Sequence, residues 1–164
     1  MSFLTIAQCM SAAAFLAFAI VHLLVWTRVR SEINHLLFSL TLVAAAGNAF
    51  AEANMYRSDS IESMAMALRW YVATSGLWVT ATIWFVVANA RVTRVGRGFA
   101  VAISGVLALA MLMNFFSPAS FLYTEVTGLR QLALPWGEPF RLAIGDDNPM
   151  RFISELALLA VLVV

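Results

Sequence analysis

The stretch Ala44–Gly76, AAAGNAFAEANMYRSDSIESMAMALRWYVATSG, decides how the chain is read. It ends one apolar helix, crosses a short polar turn and begins the next. Asn48, Glu52, Asn54 and Arg69 place polar groups where a bilayer is normally dry. An ionisable group inside a membrane span is costly, so it marks a candidate functional site. The rest of the chain is expected to support this turn and to cover it.

Composition sets the class. Of the 164 residues, 62% are hydrophobic and 12% are charged, and the mean hydropathy is +0.87. Soluble domains carry about 25% charged residues. The expected fold is therefore all-α, a polytopic transmembrane helix bundle whose apolar surface is solvated by the lipid bilayer. The net charge of +1 gives no argument for a nucleic-acid partner. All ten basic residues are arginine, which excludes a lysine nucleophile or Schiff base within these residues. Cys9, the one cysteine, can form neither an intrachain disulfide nor a CxxC site. It reads as a buried, inert thiol. The N-terminus lacks the basic region of a signal peptide, and its apolar run exceeds the usual length of about 7–15 residues, so it reads as a retained span.

A spanning helix needs about 20 mostly apolar residues. Phe3–Trp26, Leu36–Met55, Ala65–Ala90 and Phe99–Phe116 meet this requirement. A connection over 117–149 follows, then a fifth apolar run from Phe152. Those last 13 residues rise about 20 Å, against a hydrocarbon core of about 30 Å. The fifth span is expected to be truncated, and residues 1–164 to be one transmembrane domain, incomplete at its C-terminus.

Basic residues in short loops orient a membrane protein. Arg28, Arg30, Arg91, Arg94 and Arg97 crowd the loops after the first and third spans. The other side also holds five arginines (Arg57, Arg69, Arg130, Arg141 and Arg151), spread over wider stretches. Density predicts cytoplasmic first and third loops, an outside N-terminus and an outside 117–149 loop.

With this topology, polar groups of different spans fall at one depth. Asn48, Glu52, Arg69, Asn114, Arg151 and Glu155 are expected to form a polar layer below the outer surface, with Glu52–Arg69 as its ion pair. The bland reading of this layer is a structural clasp; the functional reading is a ligand- or ion-sensing pocket. Small residues at 44–47 and 49 allow close helix approach. Trp78 and Trp84 lie deeper and read as packing residues. His22 and His35 fall toward the cytoplasmic side. A bis-histidine haem would need them to face one another across a cavity. No metal-ligand spacing supports that, so the expected cofactor and metal complement is empty.

Within 117–149, Leu132 and Leu134 alternate before Pro135-Trp136-Gly137-Glu138, and Phe140, Leu142 and Ile144 alternate after it. This pattern predicts an extracytoplasmic β-hairpin. Trp136 and Glu138 would sit at the tip of a lid, or of a loop that only plugs the bundle end. Asp146-Asp147-Asn148-Pro149 reads as a turn and the N-terminal cap of the fifth helix. No catalytic constellation is visible: there is no phosphate-binding glycine loop, and no nucleophile has an evident base.

Several of these segments together resemble the N-terminal seven-helix membrane sensor region of bacterial sensor histidine kinases and related signalling proteins. They are A-A-G-N-A-F-A-E (45–52), L-R-W (68–70), L-W with I-W-F (77–85), R-V-T-R (91–94), N-F-F-S-P (114–118) and L-P-W-G-E (134–138). The resemblance implies that about five of seven helices are present. It also implies a bacterial cytoplasmic (inner) membrane and a cytoplasmic output domain after the last helix, such as a histidine kinase of a two-component system. Enzymatic activity would then belong to the full-length protein and not to this segment. Two partners stay open, a second copy of the chain and a small ligand of unknown identity. The alternative is a transporter or membrane-complex subunit without catalytic activity.

Overall fold

The computed structural model describes residues 2–90, 92–149 and 151–152. Four helices run in succession: α1 (Phe3–Arg28), α2 (Ile33–Arg57), α3 (Ile61–Asn89) and α4 (Arg94–Phe116). A two-stranded antiparallel sheet follows, β1 (Tyr123–Ala133) and β2 (Pro139–Asp147). All four helices are long and apolar enough to cross a membrane. The shortest, α4, has 23 residues and rises about 35 Å, more than the hydrocarbon core of about 30 Å. The fifth span expected from Phe152 lies outside the described residues.

Each helix is longer than its apolar run because caps and arginines extend it. The α3 N-terminus lies at Ile61, not Ala65, because Ser60 closes a capping box. Its hydroxyl accepts from the Ser63 amide at 3.1 Å, and the Ser63 hydroxyl accepts from the Ser60 amide at 3.2 Å. Thr93 caps α4 through the Gly96 amide at 3.2 Å, which starts that helix five residues before Phe99. The Ser2 hydroxyl caps α1 through the Thr5 amide.

Helix α2 packs between α1 and α3 on small side chains. Ala44, Ala46, Ala49, Ala51 and Ala53 are all buried. A Cβ added at Gly47 would stand 3.0 Å from the Thr74 side chain, so glycine permits this close α2–α3 approach. The Ser39 hydroxyl donates to the Ala19 carbonyl at 2.9 Å and ties α1 to α2. Small residues and short polar links suit helix packing in lipid, where apolar contact alone gives no preference for protein over acyl chains. Between α3 and α4 the contact is larger in side chain: Val79, Ile83, Val87, Ala100 and Leu107 form one cluster. Trp84 packs against it and donates its indole N–H to Ser104 at 3.0 Å. Trp78, expected as packing, instead stands 42% exposed on the outside of the bundle.

The hairpin is longer than the alternation around Pro135 indicated. Pairing runs from Ala133↔Pro139 at the tip to Tyr123↔Asp147 at the base, with irregularities at Tyr123/Glu125 and Val126/Gly128. Gly137 adopts φ 84° in the tip, a conformation that favours glycine. The expected turn and cap at 146–147 is corrected: both aspartates belong to β2. Thr124 donates to the Asp146 carbonyl at 3.0 Å, and the Asn148 amide to the Leu122 carbonyl at 2.9 Å. These bonds hold the strand pair together past the point where composition suggested a turn.

Candidate functional site

The hairpin lies across one end of the bundle, hydrogen-bonded to two places there and packed on a third. At its tip, Glu138 accepts from the Leu4 amide at 3.1 Å, beside the Ser2 cap at the N-terminus of α1. The Trp136 indole donates to the same carboxylate at 3.0 Å and meets Phe3 edge-on at 6.2 Å. Hydrogen bonds from Ser2, then from Trp136, hold the Glu138 carboxyl below its ordinary pKa. An anion at this position suits the positive end of a helix. In mid-strand, Arg141 donates to the Ser58 carbonyl in the α2–α3 turn at 2.8 Å. Phe140 packs edge-on against Tyr56 at 5.9 Å. Val126, Leu122, Leu129 and Ala143 cover Met64, Leu68 and Met55, so one hairpin face closes over the ends of α2 and α3.

Beneath the hairpin the polar residues form three separate junctions instead of one layer. The first joins α1 to α2. Gln8 Nε2 donates to Glu52 at 2.9 Å, and the Tyr56 hydroxyl donates to the other carboxylate oxygen. The second joins α2 to α3: Asn48 Oδ1 accepts from Ser75 at 2.6 Å and from Thr74 at 3.4 Å. Asn54 stands apart from all three, with its amide donating to Phe50 O of its own helix at 3.0 Å. The third joins α3 to the end of α4. Arg69 donates through Nε to Ala119 O at 3.1 Å and through Nη2 to Ser117 O at 2.8 Å and Pro118 O at 2.6 Å. Asn114 is fully buried. Its amide donates to Arg69 O at 2.8 Å, and its Oδ1 accepts from the Phe121 amide at 2.9 Å.

The expected Glu52–Arg69 ion pair is therefore corrected. Four residues carry a helix about 40° past a full turn, and on α2 this is enough to send Asn48 toward α3 and Glu52 toward α1. Arg69 finds its partners in the carbonyls of Ser117, Pro118 and Ala119, the segment that follows α4, close to the helix C-terminus where a cation is favoured. Among the described residues the ion pair is Arg151–Asp147 at 3.1 Å, on the exposed base of the hairpin. Glu155 lies outside the described residues. Gln8 and Ser75 are junction residues that the polar layer expected from sequence did not include. Gln8 carried a usable signal, a carboxamide within an apolar run at the depth of Glu52.

At the opposite end, His22 and His35 meet across α1 and α2. Their Nδ1 atoms are 2.8 Å apart, and Phe38 packs edge-on against His22 at 4.6 Å. Rings in direct hydrogen-bond contact leave no room for an iron between these nitrogens. Among the described residues, no group of three or more His, Cys, Asp or Glu side chains could hold a metal ion.

Comparisons with known protein families, curated proteins and solved structures return no match.

Proposed function

We propose that this chain is the membrane-embedded input region of a bacterial signal-transduction receptor. In this reading a sensor histidine kinase carries its output domain in the cytoplasm, after the last span. A signal at the hairpin end, extracytoplasmic or within the membrane, changes how the helices pack and so biases the output domain. One observation carries the reading: the hairpin is bonded to the α1 N-terminus and the α2–α3 turn. A ligand that displaces the hairpin would thus act on several helices together. The requirement is a signal that binds two arrangements unequally.

The second reading is a non-catalytic subunit of a transporter or membrane complex. It is favoured by Asn114 and Arg69, whose side chains find their partners within the protein. Such junctions hold helices together without any ligand.

Orientation separates the receptor reading from its inverse. In a Cys9→Ser background, single cysteines at Ser60 and Thr127 should react with an impermeant maleimide added outside intact cells. Cysteines at Ser31 and Gly98 should react only after lysis. The reversed pattern would place the hairpin in the cytoplasm and remove the basis for an extracytoplasmic signal.

A further inference from the structure

A groove of about 800 Å³ runs between α2 and α3 on the outside of the bundle, at the hairpin end. Its volume lies within the range of ligand sites, about 300–1,000 Å³. The walls are graded along the helices. Phe50, Met66 and Trp70 line the part away from the α2–α3 turn and are 61%, 50% and 53% exposed. Ala51 forms part of the floor. The mouth carries Arg57, the last residue of α2, and Asp59, two residues later in the turn. Both side chains are exposed, and neither joins an ion pair among the described residues.

We propose that this groove holds one membrane phospholipid with a phosphoethanolamine headgroup. An acyl chain fits the apolar walls. The two charges at the mouth match the two charges of the headgroup: Arg57 binds the phosphate through paired N–H donors, and Asp59 accepts from the primary ammonium. A choline headgroup has no N–H to give Asp59. A glycerol headgroup leaves a net negative lipid beside that carboxylate. The groove shares Ser58 with the hairpin, which reaches it through Arg141, but the proposal does not rest on the receptor reading.

The test is lipid retention. The chain is reconstituted in nanodiscs of equimolar phosphatidylethanolamine, phosphatidylcholine and phosphatidylglycerol, released into mild detergent and examined by native mass spectrometry. Phosphatidylethanolamine should be retained about tenfold over either competitor, the discrimination that one charge-assisted hydrogen bond supplies. Asp59→Asn should abolish the preference over phosphatidylcholine while retention of phosphate lipids persists. Arg57→Gln should lower retention of all three. Both positions are exposed, and unchanged thermal unfolding in detergent will verify that the variants fold. Equal retention of the three lipids, a preference untouched by both substitutions, or a dimer formed without bound lipid would each overturn the proposal.

Discussion

Asn114→Ala is expected to destabilise the chain by about 2–5 kcal/mol. Asn114 has no exposure, and its two ends serve different segments. The amide satisfies Arg69 O in α3, and Oδ1 satisfies the Phe121 amide just before β1. Alanine orphans the buried Phe121 amide, while Arg69 O keeps only its intrahelical bond. Each unsatisfied buried group costs about 1–3 kcal/mol, and the missing carboxamide leaves a cavity as well. Ser104→Ala is the comparison, because it removes one partly buried bond to Trp84 and should cost about 1 kcal/mol. Unfolding in mixed detergent micelles measures both. Equal effects at the two positions would show that Asn114 is not the junction described.

Gly145→Ala should disrupt the hairpin. An added Cβ would lie 1.9 Å from the Glu125 carbonyl oxygen, and backbone on the paired strand cannot yield as a flexible side chain does. The register between Val126 and Gly145 would have to open, beside an irregularity already present at Val126/Gly128. Overpacking typically costs about 1–3 kcal/mol, and a backbone overlap of this depth belongs at or above the upper end. Hydrogen exchange in β1 is expected to lose its protection. Gly98→Ala, where nothing lies within 4 Å of the new methyl, should instead stabilise α4 by up to about 1 kcal/mol. Retained β1 protection in Gly145→Ala would contradict the strand register.

The spans were legible in the sequence because hydropathy over twenty residues is a local property. Their ends were less so, since Ser60 and Thr93 act through backbone amides that a count of apolar residues ignores. The hairpin was legible at its tip, where Pro135 and Gly137 punctuate an alternation. It was not legible at Asp146 and Asp147, whose strand pairing depends on Thr124 and Leu122 more than twenty residues away. The polar residues at the hairpin end were identified as candidates, but their partners were not. Choosing between Arg69 for Glu52 and Gln8 for Glu52 requires knowing which edge of α2 faces α1, and the spacing of Asn48 and Glu52 does not say. His22 and His35 are only 13 positions apart across a helical hairpin. Their meeting followed from helix register, which spans that are apolar on every side leave unspecified.

If the hairpin biases helix packing as proposed, moving its tip should move α1 against α3 at the opposite end of the bundle. Spin labels at Leu24→Cys and Ala88→Cys, in a Cys9→Ser background, place one probe on α1 and one on α3 far from the hairpin. Glu138→Ala removes the acceptor of the Leu4 amide and of the Trp136 indole and should free the tip, and a longer distance between spin labels at Met10→Cys and Pro135→Cys will confirm that the tip has left α1. The account predicts that the Leu24–Ala88 distance then shifts by about 1–2 Å, the scale of helix displacements in switching proteins. An undocked tip with an unchanged Leu24–Ala88 distance would contradict it.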